Sequence, residues 1–215
     1  MPKCADAPPE LAALDLECFR GDRLLFSGLN FRLRPGQLMQ IEGANGSGKT
    51  SLLRILSGLS RPSEGEVHWR GRDILSQRSV YFSEMAYLGH SLGIKPELSA
   101  VENLRVALAL AGVSFESADL YRALGAAGLD GSEDIPARSL SAGQKQRIAF
   151  ARLLACSAIL WVLDEPFTAL DVTGIARLRG SLENHLDQGG MAVLTSHQAV
   201  HVRGDVVKLA LTGMI

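Results

Sequence analysis

The sequence predicts an α/β fold: a parallel-sheet core built around a phosphate-binding loop and interrupted by an all-helical insert at about residues 90–156. Three observations carry this reading. Residues 43–50 read Gly43-Ala44-Asn45-Gly46-Ser47-Gly48-Lys49-Thr50, the pattern Gly, any four residues, Gly, Lys, then Ser or Thr, set between a strand-like run at 38–42 and a helix-like run at 51–56. Residues 158–163 form a short unbroken apolar run ending at Asp164, as a strand buried on both faces of a parallel sheet requires. Between these two, Ala- and Leu-rich stretches at 101–111 and 117–127, joined by a turn near Gly112, and a further stretch at 141–156 carry helical spacing.

The remaining elements follow in order. Residues 1–10 are rich in Pro and Ala and read as loose. Short strand-like runs alternate from residue 11 to about 69, with clear examples at 28–33 and 65–69. Gly58 and Pro62 punctuate the end of the first helix, and Glu64-Gly65-Glu66 reads as a turn into a strand. Another strand lies within 79–88. After the apolar run at 158–163, residues 171–186 read as a helix and 191–195 as a strand. No internal repeat or low-complexity segment is visible.

Composition narrows the class. Of 215 residues, 47% are hydrophobic and 21% charged, enough to bury a sizeable core and too apolar for extensive disorder. A net charge of −1 and the lack of a basic stripe argue against a nucleic-acid surface. Cys4, Cys18 and Cys156 are far apart and odd in number, forming neither a metal-ligand spacing nor a disulfide framework, which fits a reducing cytosol. No stretch approaches the roughly 20 apolar residues that span a bilayer, and Met1-Pro2-Lys3 opens no apolar signal region. The expectation is a chain that is soluble, or membrane-associated only through a partner.

The phosphate loop assigns a job to each required position. Its glycines let successive backbone N–H groups turn inward as a nest for phosphate oxygens, from Gly43, Ala44, Asn45, Gly46, Ser47 and Gly48 through to Ser51. Lys49 places a point charge on the β- and γ-phosphates, the Thr50 hydroxyl can ligate Mg²⁺, and the helix that starts here aims its positive dipole end at the same anion. This much implies a nucleoside triphosphate without saying what it drives. The strand at 158–163 delivers Asp164 to a sheet edge, where one carboxylate suffices to hold Mg²⁺ through a water. Glu165 follows as the candidate general base for the water that attacks the γ-phosphate. At 139–147, Ser141 is placed as an N-cap and Gln144 completes a capping box; the same donor-rich helix N-terminus could also bind a second phosphate.

Leu140-Ser141-Ala142-Gly143-Gln144 upstream of Leu163-Asp164-Glu165-Pro166 resembles the signature of ATP-binding-cassette (ABC) ATPases, with Ala142 where Gly is usual. Thr168-Ala169-Leu170-Asp171 resembles the D-loop of that family, and Thr195-Ser196-His197 resembles its switch histidine. The ordered motifs span nearly the whole chain. The resemblance implies a P-loop NTPase ABC cassette: a RecA-like core, a small antiparallel β subdomain and an inserted helical subdomain. Its divisions would fall at 1–10, 11–89, 90–156 and 157–215. It also implies that ATP is bound by Lys49 and the loop amides, that Thr50 and Asp164 organise Mg²⁺, that Glu165 deprotonates water, and that His197 contacts the γ-phosphate and helps hold Glu165. Ser141 and Gly143 would act in trans, capping ATP on a second copy in a head-to-tail dimer.

Two further positions depart from the family pattern. His90, nine residues upstream of Ser99 in Ser99-Ala100-Val101-Glu102-Asn103, stands where that family carries a glutamine. Both a contact to metal-bound water and a purely conformational role remain open for it. The group expected to stack on adenine aligns with Arg20, with Phe19 one place before, and either planar group could stack. His68, His185 and His201 have no companions at ligand spacing and read as surface or packing residues.

The wording of Ile41-Glu42-Gly43-Ala44-Asn45-Gly46, Gly58-Leu59-Ser60-Arg61-Pro62 and Tyr87-Leu88-Gly89-His90 is similar to the ATP-binding subunits of the cytochrome c maturation (heme exporter) branch. That branch implies polytopic membrane partner subunits of the B and C type at the cytoplasmic face of a bacterial inner membrane. It implies no direct membrane insertion and no nucleic-acid partner. A soluble, non-transport ABC ATPase such as an iron–sulfur assembly subunit is the alternative.

Overall fold

The computed structural model describes residues 7–196 and 200–211. Its centre is a five-stranded, all-parallel sheet of order β6-β7-β8-β3-β9, formed by β6 (Met85–Leu88), β7 (Leu160–Leu163), β8 (Met191–Thr195), β3 (Gln37–Glu42) and β9 (Asp205–Ala210). A second, antiparallel sheet of order β2-β1-β4-β5 combines β1 (Leu11–Arg20), β2 (Arg23–Leu33), β4 (Glu64–Trp69) and the short β5 (Arg72–Asp73).

The period of two along the buried strands divides the core. Leu160 and Val162 of β7 and Met191 and Val193 of β8 join one apolar cluster with α1 (Lys49–Leu56) and the antiparallel sheet. Trp161 and Leu163, and Ala192 and Leu194, join the other cluster with α3 (Ala100–Leu110), α4 (Ser117–Ala126), α5 (Ala142–Ala155) and α6 (Val172–Asp187). A parallel sheet covered on both faces explains why β7 and β8 read as unbroken apolar runs rather than alternating ones.

Three details differ from the sequence reading. The stretch 79–88 holds α2 (Arg78–Glu84) before the strand, which is confined to Met85–Leu88. Residues 64–66 lie inside β4, not in a turn before it. Strand β9, which the sequence did not suggest, pairs with β3 along all six of its residues at the sheet edge, where only partial burial is needed.

Helix α2 secures the far end of the phosphate-loop helix. Tyr81 is buried, and its hydroxyl donates to the carbonyl of Leu56, one of the last carbonyls of α1 that have no partner within the helix. Burial also drives the Tyr81 pKa upward, keeping it a neutral donor. Tyr81→Phe should therefore cost about 1–2 kcal/mol of unfolding free energy by leaving that carbonyl unpaired. Chemical denaturation is the check: a midpoint equal to wild type would show that the bond contributes nothing.

Candidate functional site

The carboxyl ends of β3, β6 and β7 open on a cleft of about 430 Å³, lined by Arg20, Arg23, Leu25, residues of the 43–51 loop, His90, Asp164 and Glu165. Open α/β sheets bind ligands at this end of their strands. The loop from β3 to α1 is tight. Gly43 has φ 156°, and a Cβ there would lie 2.5 Å from Ser47 Oγ and 2.7 Å from the carbonyl oxygen of Leu211, so only glycine fits. Gly48 caps α1 with left-handed backbone. Lys49 Nζ donates to the carbonyls of Gly43 at 2.7 Å and Ala44 at 3.2 Å, so the ammonium is drawn across the mouth of the loop. An ammonium has three donors, which leaves capacity for an anion seated there. Asn45, Gly46, Gly48, Lys49, Thr50 and Ser51 all line the cleft; Gly43, Ala44 and Ser47 are not among its lining residues.

Asp164 and Glu165 reach the cleft as the apolar run predicts. The backbone N–H of Asp164 donates to the carbonyl of Leu88 at 2.7 Å, continuing the β6–β7 ladder one residue further. The Asp164 side chain is buried, and its Oδ1 accepts from the Thr195 hydroxyl at 2.8 Å. Its Oδ2 is buried and has no hydrogen-bond partner among the described residues. A buried carboxylate oxygen without a partner is costly, and with the Thr50 hydroxyl lining the same cleft the donor set is all oxygen. That suits a hard divalent cation such as Mg²⁺. Glu165 takes left-handed backbone, φ 50°, uncommon for a residue with a Cβ, and its N–H donates to the same Thr195 hydroxyl at 2.9 Å.

The other predicted positions separate. His90 lines the cleft beyond the end of β6. Arg20 lines it and Phe19 does not: adjacent residues of β1 face opposite ways, and Phe19 is 46% exposed outside the cleft. Ser141, Gly143 and Gln144 are not among the cleft residues. They open α5 with the expected capping box, Gln144 N–H to Ser141 Oγ at 3.2 Å and Ser141 N–H to Gln144 Oε1 at 2.9 Å. His197 lies outside the described residues.

Sequence reasoning missed the links between these parts. Gln146 donates to the carbonyl of Pro166 at 3.2 Å, and Arg147 pairs with Asp171 at 2.5 Å. A Cβ on Gly143 would fall 2.7 Å from the Ala169 carbonyl oxygen. The first turns of α5 are thus clamped to the 165–171 segment that begins with Glu165. Asp171 also N-caps α6; its bond from the Gly174 N–H, ahead of Arg147, lowers its pKa and keeps it ionised. Arg23 and Leu25 were missed as cleft residues, although the β1–β2 hairpin that brings Arg20 must bring them too.

A larger cavity of about 630 Å³, bordered by Cys156, Trp161 and His185, contains none of the predicted site residues. His185 stacks on Trp161 with ring centroids 4.0 Å apart, and burial lowers its pKa, so it is a neutral packing group as its sequence context suggested. Among the described residues there is no cluster of three metal-ligating side chains, and no helix is long and apolar enough to cross a membrane.

A phosphate-loop cleft joined to a strand-end Asp-Glu pair and a capped signature helix defines a P-loop ATPase of the cassette type. Residues 26–168 match the sequence profile described as ABC transporter, and the chain belongs to that family. It is an ATP hydrolase of that family. A relative from Methylococcus capsulatus, "Cytochrome c biogenesis ATP-binding export protein CcmA", is 62% identical over 97% of this chain and 100% of its own length. The protein of the same name from Escherichia coli K12 is 47% identical over 94% of this chain and 96% of its own. The fold is shared with the "Putative ABC transporter (ATP-binding protein)" of Pyrococcus furiosus, at TM-score 0.82 and 23% identity over 94% of this chain and 97% of that one. It is also shared with a dimeric bacterial ABC transporter cassette, at TM-score 0.80 and 23% identity over 93% and 94%.

Proposed function

We propose that this chain is the ATPase subunit of a membrane export complex in cytochrome c biogenesis, working as a head-to-tail dimer with two sandwiched ATP molecules. The full-length likeness to the export protein of Methylococcus capsulatus is the observation that carries the biological assignment. The cleft supports the chemistry. Lys49 and the loop amides of residues 45–50 hold the triphosphate, with Arg20 beside the cleft to stack on adenine. Thr50 and Asp164 would hold Mg²⁺, which when bound neutralises charge on the β- and γ-phosphates. Glu165 orients a water and takes its proton as the water oxygen attacks the γ-phosphorus. The bond from that phosphorus to the bridging oxygen breaks, giving ADP and inorganic phosphate. His197 helps hold Glu165 and the γ-phosphate.

In one copy the cleft lacks the Ser141–Gly143 end of α5. A second copy placed head to tail would supply it in trans; the bacterial cassette that shares this fold is described as dimeric. Because α5 is clamped to the 165–171 segment in the same chain, hydrolysis at one site would shift the signature helix facing the other. The opening of the sandwich is then the two-state element that moves polytopic membrane subunits of the B and C type. The chain would sit peripherally at the cytoplasmic face of the inner membrane, driving either heme export or the release of a heme carrier. Affinity purification from native membranes tests the assignment. Recovery with two polytopic membrane subunits is expected, and recovery with soluble scaffold proteins alone would overturn it.

A further inference from the structure

We propose that Thr195 is a positioning residue that sets both acids of the ATPase site through a single hydroxyl; the inference rests on the ATPase reading above. Thr195 is the last residue of β8, fully buried, one register step beyond the Leu163–Leu194 pair that aligns β7 with β8. Neighbouring residues of parallel strands share a face, so the Thr195 and Asp164 side chains stand side by side at the sheet edge. The direction of both bonds is fixed by chemistry. The Glu165 N–H can only donate, so the Thr195 oxygen accepts from it at 2.9 Å. The Thr195 hydroxyl hydrogen is then free to go to Asp164 Oδ1, 2.8 Å away.

Two consequences follow for the site. Asp164 is held by one oxygen, leaving Oδ2, which has no partner among the described residues, as the oxygen available for a cation. Glu165 is held in left-handed backbone by its N–H, a conformation that persists only where the surroundings enforce it. One hydroxyl therefore links the orientation of the cation-binding carboxylate to that of the base. Valine has the shape of threonine without the hydroxyl, so it removes both bonds.

The test compares Thr195→Val, Thr195→Ser and wild type in the full-length chain, each checked for folding by far-UV circular dichroism. Binding of a fluorescent ATP analogue is measured with and without Mg²⁺, alongside kcat and KM for ATP. Thr195→Val is expected to bind the metal-free nucleotide as wild type does. It should lose about tenfold or more of the Mg²⁺-dependent gain in affinity and a similar factor in kcat, while Thr195→Ser recovers both to within about threefold. A folded Thr195→Val with wild-type Mg²⁺ dependence and kcat would overturn the proposal. So would Thr195→Ser failing as badly as valine, since the methyl rather than the hydroxyl would then matter. Should Thr195→Val not fold, the serine variant decides alone. Wild type that binds no nucleotide would instead sink the ATPase reading on which the inference rests.

Discussion

Lys49→Ala is expected to lose roughly a hundredfold in ATP affinity, because the ammonium serves two ends at once. It bonds the Gly43 and Ala44 carbonyls and keeps a third donor for a phosphate oxygen. Alanine removes the charge and also strips those two carbonyls of their donor. Lys49→Arg should do little better, since a planar guanidinium cannot reproduce the geometry of a compact, rotatable ammonium. Isothermal titration with Mg-ATP measures this directly. Because Lys49 is on the cleft wall and not in either core, its removal should leave the unfolding midpoint near wild type. ATP affinity within threefold of wild type would show that the loop binds its ligand without the lysine.

Glu165→Gln is expected to lower kcat by about 10²- to 10⁴-fold, the range that loss of a positioned general base commands, with ATP binding retained. The substitution is nearly isosteric and keeps the backbone N–H that Thr195 accepts, so the left-handed turn at residue 165 survives. Only the capacity to take a proton from water is lost. Single-turnover hydrolysis separates this from slow product release. Unchanged turnover would show that Glu165 is not the base and that the proton leaves by another route.

Much of this was legible in the residues because single positions were under hard constraint. Gly43 admits no Cβ, and strands β7 and β8 must be apolar on both faces, so the loop and the central strands stand out in the text. Strand β9 did not, because an edge strand with alternating partial burial carries little apolar signal. The choice between Phe19 and Arg20 was decidable in principle, since neighbours in a strand face opposite ways, but only once the cleft was known to lie on the Arg20 side. His90 was found by spacing alone, and the cleft includes it. Thr195 was hidden for a different reason: at the end of an apolar strand it reads as one more β-branched residue, and its hydroxyl has meaning only beside Asp164. The clamp of Gly143, Gln146 and Arg147 on residues 166–171 likewise joins positions distant in sequence.

The composite site is the centre of this account, and the mass of Glu165→Gln in solution tests it most directly. With turnover blocked, light scattering in saturating Mg-ATP should report a dimer of this 23.1 kDa chain, reverting to monomer when the nucleotide is removed. A protein that binds ATP yet remains a monomer under those conditions would contradict it, because the Ser141–Gly143 end of α5 would then have no partner site to complete.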